Sequence, residues 1–436
     1  MLRNQSGKAG TGFWLLSPDN IYFLILLFLP LGLGRHFWPA FSYVSGIRID
    51  YLSPTIYLTD FLIIFLLALW AVEKRRNIKK VLQKVNSKFV LFSVILLLGV
   101  FLSGNIFLGF YGFLKFLEFS FVSFYTASSI KKYSQFIKIV KVLSIGILFE
   151  SLLSIAQYFH QGSLNGIFYF FGERFITPGT LGAANASLNG ALVLRPYGTF
   201  SHPNVLAGYL AVFMSALLFS IDFRKRRLTS CFFSLALTLS SVALFLTLSR
   251  VSIFVWLTVL LLYFFKKINT NKKAFFLSAL FLLAVVLGIY FSPFQSRLLS
   301  IRVNDQAVTQ RLELTRGAWS MFVKNPILGV GINNFLTNIS LYQKPTGLSF
   351  FLQPVHNIFL LILSQAGVVG FLFFALFMKK TLVKINGTNP KIKLLLFVLI
   401  YEIFALGFFD HYFLTLQQGQ LILSFVLGIS WTKINS

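Results

Sequence analysis

Residues 203–228 read PNVLAGYLAVFMSALLFSIDFRKRRL. The first part, 203–221, has no charged side chain, and Arg224, Lys225, Arg226 and Arg227 follow directly. A bilayer core is crossed by about 20 apolar helical residues. Lysines and arginines clustered just beyond a span mark its cytoplasmic end. The stretch therefore reads as a transmembrane helix that ends in the cytoplasm.

Working outward, the same reading gives twelve apolar runs: 20–34, 52–72, 88–104, 107–128, 137–160, 203–221, 229–248, 251–266, 274–291, 355–378, 393–410 and 412–431. The first is short, and the seventh and eighth nearly touch, so ten or eleven spans are alternatives. The whole chain supports this class. Its 436 residues are 56% hydrophobic and only 12% charged, about half the charge of a soluble domain. Disordered chains and ordinary water-soluble enzymes are excluded. Residues 1–436 are read as a single all-α polytopic membrane domain. The N-terminal segment lacks an early apolar stretch and does not resemble a cleavable signal. Cys231, in an apolar run, excludes an internal disulfide and a cysteine-based zinc site, and is expected to be a small buried hydrophobe.

The net charge of +27 invites a nucleic-acid reading. Its distribution argues otherwise, because the loops between alternate spans, together with both terminal tails, hold 27 of the 39 basic residues. That asymmetry places both termini in the cytoplasm and makes the charge a record of topology; no nucleic-acid partner is expected. On the opposite face two long segments stand out, 161–202 and 292–354. The basic residues there are mostly arginine: Arg35, Arg48, Arg174, Arg195, Arg250, Arg297, Arg302, Arg311 and Arg316, with Lys324 and Lys344. Arginine's planar fork suits phosphate or carboxylate, whereas lysine suffices for topology. Anion binding near the membrane and simple snorkelling to headgroups are both open for any one of them.

The loop 292–354 is too long for a plain connection. From Asp305 it has helical character, with Val308, Leu312, Trp319 and Phe322 on an apolar face that suits a membrane surface, and it stops near Asn325-Pro326. Arg311 and Arg316 lie about 140° apart on such a helix. His356, where this loop re-enters the membrane, has the chemistry to take a proton from a hydroxyl; a histidine satisfied by backbone is the alternative. His202, beside Pro203 and Asn204, opens a span and is equally read as a cap neighbour. Asp410-His411 reads as a polar turn between spans. Lys115 and Glu118 are expected to neutralise each other on one helix face. No acidic cluster or HExxH pattern supports a metal, and Asp50, near Arg48, is the best candidate for a catalytic carboxylate.

These residues fall into a known pattern. Arg195-Pro-Tyr-Gly-Thr-Phe-Ser-His202-Pro-Asn204-Val-Leu-Ala, Thr247-Leu-Ser-Arg250, Arg316 with Asn325-Pro-Ile-Leu-Gly-Val-Gly331, and His356-Asn357 with Ser364-Gln365-Ala-Gly367-Val-Val-Gly370 resemble, in order, segments of the O-antigen ligase/polymerase family. The match covers about 195–370, and Gln365 stands where an acid is common. The resemblance implies a C-type glycosyltransferase-like fold in the bacterial cytoplasmic membrane and a metal-independent, inverting transferase without cofactor. It would use a polyprenyl (undecaprenyl) diphosphate-linked glycan at the outer face. Carried over by residue, His356 would act on the acceptor hydroxyl. Arg195, Arg250 and Arg311 or Arg316 would hold the diphosphate, with His202, Asn204 and Asn357 in support. The acceptor would be a lipid, a protein or another lipid-linked repeat; in the last case the enzyme is a polymerase. A twelve-span transporter or flippase is the reading from another class, and the absence of an internal repeat speaks against it.

Overall fold

The computed structural model describes residues 17–77, 87–188, 190–221, 228–268, 306–342 and 351–434. The expected run 274–291 and Asp305, Arg297, Arg302 and Lys344 lie outside them. The elements in chain order are α1 (Pro18–Leu27), β1 (Gly34–His36), β2 (Tyr43–Val44), β3 (Ile47–Arg48), β4 (Thr55–Tyr57), α2 (Leu58–Lys74), α3 (Ser87–Phe101), α4 (Ile106–Ser129) and α5 (Tyr133–His160). Then come β5 (Asn185–Leu188), β6 (Ala191–Leu194), α6 (Pro203–Ser220), α7 (Leu228–Leu246), α8 (Arg250–Ile268), α9 (Gln306–Lys324) and α10 (Phe335–Tyr342). The chain closes with α11 (Ile358–Asn386), α12 (Pro390–Phe409), α13 (Tyr412–Thr415) and α14 (Gln417–Ser430). The protein is an all-α membrane protein with three small antiparallel strand pairs, β1–β4, β2–β3 and β5–β6.

Among the described residues six helices are long and apolar enough to cross a membrane: α4, α5, α6, α7, α11 and α12. Several other expected runs are shorter as helices. The first ends at Leu27, ahead of Pro30; the outer end of the second is spent on β4; and the last is split into α13 and α14 at Leu416. Hydropathy counts apolar residues whether or not the backbone stays helical, which is why the runs overstate these helices.

α6, the helix of the opening stretch, sits at the centre. Every side chain from Val205 to Leu218 is buried, against α5, α7, α8, α12 and α14. A helix apolar all round belongs inside a protein rather than on its surface. α7 keeps an apolar face outward, and Cys231 is on it: it is exposed, not buried as expected. A thiol is apolar enough to tolerate that position.

A second core lies at the end of the bundle that carries the strand pairs. It joins Ile49 and Leu52 of the first connecting loop to Leu314, Ala318 and Met321 of α9, and to Phe335, Leu336 and Ile339 of α10. The expected helix is present at Gln306–Lys324: Leu312 and Trp319 of the face read as suited to a membrane surface are exposed, and Leu314 and Met321 pack inward.

The loop after α9 docks into a break in α11. Gly367 has φ 63° and ψ −166°, a conformation essentially restricted to glycine. The break frees two carbonyls, and Val330 and Gly331 donate their N–H groups to Ser364 O and Gln365 O at 2.9 and 3.0 Å. In return Val368 N–H donates to the Pro326 carbonyl at 2.7 Å. The Asn325–Gly331 and Ser364–Gly370 motifs are thus the two halves of one backbone joint. Irregular backbone survives at membrane depth only when protein satisfies it this way.

Candidate active site

The Arg195–Asn204 segment is held from below by α5. Gln157 Oε1 accepts from Tyr197 N and Gly198 N at 3.0 and 2.7 Å, and Glu150 Oε2 accepts from Thr199 N at 3.0 Å. Gly198 is needed twice over: its φ is +58°, and a Cβ there would fall on the Glu150 carboxylate. Arg195, almost fully buried, donates from Nε to Thr247 O at 2.6 Å and from Nη2 to Asn204 Oδ1 at 2.7 Å. It ties the end of α7 to the start of α6. The same Thr247 begins the turn in which Leu248 takes φ +52°, after which Arg250, half-buried, opens α8.

His356 is placed by its neighbour. Asn357 caps α11, accepting from Phe359 N and Leu360 N at 2.9 and 3.0 Å, and donates to Phe408 O at 3.0 Å. That last bond joins the start of α11 to the end of α12 and brings His356 beside Asp410. His356 Nδ1 lies 3.4 Å from Asp410 Oδ1, yet this buried nitrogen has no full hydrogen bond. Asp410 Oδ1 accepts from His411 N at 2.8 Å, and Oδ2 from Asn204 Nδ2 at 3.3 Å. A continuous line therefore runs Arg195–Asn204–Asp410–His356. His411 stands beside it, its Nδ1 2.7 Å from Thr415 Oγ1, its ring edge-on to Tyr51 and 5.0 Å from the His356 ring.

The charges follow from burial. His202 caps α6 and its Nδ1 accepts from Asn204 N at 3.1 Å, which leaves its ring proton on Nε2. Burial, with Arg195 beside it, pushes the His202 pKa down to about 3. Burial also pushes His411 down to about 3, against the pull of Asp410. On Asp410 burial acts upward, but the His356 ring nitrogen, His411 and the other His charges outweigh it and hold the carboxyl below its usual range. At neutral pH Asp410 is therefore ionised, and His202 and His411 are neutral.

The expected residues separate clearly. His356, Asn357, His202, Asn204 and Arg195 converge, with Arg250 three residues beyond the Thr247 contact. Arg311 is exposed on α9, and its charge is felt by both His202 and His411. Arg316 is also exposed, and no described contact places it at the cluster. Asp50 is exposed and sits nearer His36 and Tyr51. The carboxylate that faces His356 is Asp410, and no described contact joins Asp50 to His356. The visible signal was the Asp410-His411 pair, set aside as a turn.

No curated protein matches the chain. Residues 235–375, about a third of the chain, match the family model described as O-antigen ligase; the segment includes Arg250, Arg311, Arg316, His356 and Asn357, and over it the chain is similar to the O-antigen ligases.

Proposed function

We propose that the protein transfers a glycan from a polyprenyl (undecaprenyl) diphosphate donor to an acceptor hydroxyl at the outer face of the bacterial cytoplasmic membrane, within a C-type glycosyltransferase-like bundle of ten to twelve spans. The family is one of glycosyl-transferring enzymes, and the observation that carries the mechanism is the Asp410 carboxylate facing His356 Nδ1 at 3.4 Å. That carboxylate favours the ring proton on Nδ1 and leaves the Nε2 lone pair to accept the acceptor's proton. The acceptor oxygen attacks the anomeric carbon while the bond to the diphosphate breaks, with inversion. Arg250 and Arg311 hold the charge that develops on the leaving diphosphate. Arg195 adds its charge from behind while fixing Asn204 against Asp410. Guanidinium groups can supply this stabilisation without a metal. His411 takes no part in the transfer itself.

The test follows release of the lipid diphosphate by the purified protein in EDTA, with a lipid-linked oligosaccharide donor and candidate acceptors. His356→Ala should slow release by about 10²–10⁴-fold, the usual contribution of a general base. Arg250→Lys should cost about tenfold, because one ammonium does not reproduce the fork. Turnover near wild type in both variants overturns the mechanism. The productive acceptor separates ligation from polymerisation.

A further inference from the structure

Three ligand-type side chains meet at one point: His356, Asp410 and His411 each present an atom within 4.8 Å of the other two. We propose that His356 Nδ1, Asp410 Oδ1 and His411 Nε2 form a binding site for a divalent transition metal, with Zn²⁺ the best fit, and that the bound ion shuts off transfer. The inhibitory half rests on the reading of His356 as the proton acceptor; the binding half does not.

The donor set is two imidazoles and one carboxylate, which suits zinc and leaves a fourth position open. Zinc bonds of about 2.0–2.2 Å place tetrahedral ligands roughly 3.3–3.5 Å apart. The His356–Asp410 separation, 3.4 Å, already meets this; His411 Nε2, 4.0 Å from the same oxygen and within 4.8 Å of His356 Nδ1, has to swing inward by roughly an ångström to close the set. The supporting contacts are those of a built site. His411 Nδ1 is held by Thr415 Oγ1, which turns Nε2 inward, and Asp410 Oδ2 is held by Asn204. Outer contacts of this kind orient metal ligands. In addition, His356 Nδ1 is a buried nitrogen whose described polar neighbour, Asp410 Oδ1 at 3.4 Å, is too far for a full hydrogen bond. Buried polar atoms are rarely left so.

Inhibition follows from proton placement. In the neutral ring at work, the proton is on Nδ1 and the Nε2 lone pair is free. Zinc on Nδ1 moves that same proton to Nε2, where the nitrogen can only donate. The ion exchanges ligands with water and no electron is transferred. The nearby Arg311 charge opposes a cation, so binding in the micromolar range is expected rather than the tight hold of a structural site.

The experiment uses the full chain in nanodiscs, stripped with EDTA and then freed of it. Zn²⁺ is titrated against a fluorescent chelator, and lipid diphosphate release is measured alongside. One Zn²⁺ per chain should bind, and release should fall over the same concentrations. His411→Gln should weaken both effects about tenfold while the metal-free rate stays near wild type. Thr415→Val, which keeps the volume and removes the orienting oxygen, should weaken binding by a smaller factor, and serves if His411→Gln does not fold. Zinc binding that is unchanged in both His411→Gln and His356→Ala overturns the site. Binding with full turnover overturns the inhibition. If the metal-free protein turns over no donor, the transferase reading fails while the titration still decides the site.

Discussion

Two sets of buried ionisable side chains flank the same connection, 410–417, and they are built differently. In one, Lys115 of α4 meets Asp60 Oδ2 at 2.6 Å, Gln417 Oε1 at 3.1 Å and Glu118 at 3.2 Å. Gln417 donates in turn to Asp60 and Thr59. The three donors of the ammonium have three acceptors, and one carboxylate oxygen, Glu118 Oε1, is left over. In the other set, Asp410 is bonded on both oxygens, but the ring it faces keeps an open nitrogen. An ammonium with every donor matched joins helices; a ring nitrogen left without a full hydrogen bond is available for chemistry. The sequence reading paired Lys115 with Glu118 alone, and the nearer partner is Asp60, from another helix.

The contrast predicts opposite failures. Asp410→Asn should slow transfer by about 10²–10⁴-fold, since it removes the group that sets the His356 tautomer, far more than its loss of stability explains. Lys115→Met should leave turnover per folded molecule intact and destabilise the protein by about 3–5 kcal/mol, the cost of stranding buried partners. Thermal unfolding and lipid diphosphate release on both variants check this. A folded Lys115→Met protein without activity would erase the distinction between the two sets.

The joint between α9 and α11 sharpens the comparison, because it supports the open set and not the closed one. A Cβ on Gly367 would fall on the Ile327 carbonyl, at a backbone conformation that excludes it. Gly367→Ala should cost about 2–3 kcal/mol from strain and from the backbone bonds lost with it. It should also slow transfer more than its stability loss explains, since α9 carries Arg311. Gly387→Ala, at the far end of α11 where an added Cβ meets only Lys384 O at 3.8 Å, is the control for an added methyl. Equal effects of both substitutions on the rate would show that the break itself does not position Arg311.

What was legible in the sequence divides along the same line. Hydropathy is a local property, so the six long membrane helices follow from composition and spacing, whereas the central place of residues 203–220 appears only in the packing. His356 and its capping neighbour Asn357 were visible because they sit where a loop meets a span. Asp410 was not visible as the partner of His356, because 54 positions separate them and only the Asn357–Phe408 bond brings their helix ends together. Arg195 looked like an exposed anion clamp, and the structure buries it against Thr247 and Asn204. The run 355–378 gave no sign of its break, since a glycine inside an apolar stretch is compatible with a continuous helix.

The smallest effect lies in the pH dependence of stability. His202 and His411 are held near pKa 3, well below the ordinary value of 6.5. A depressed histidine favours the folded state above the unfolded pKa, and that contribution is lost as pH falls from about 6.5 towards about 3. Within this window the unfolded chain binds the proton and the folded chain does not, so each histidine contributes a slope of at most about 1.4 kcal/mol per pH unit. Asp410, also depressed, acts in the same direction at lower pH, losing its contribution below the ordinary carboxylate range. None of the described bonds of the Lys115 set reaches a histidine of this cluster, so Lys115→Met should lower the curve while leaving these two histidines' share of the slope in place. His202→Asn, which keeps an acceptor for Asn204 N, should flatten the curve between pH 6 and 4 by up to one histidine's share. A melting series across that range decides it: an unchanged slope in His202→Asn would mean that the acid sensitivity does not come from the open set.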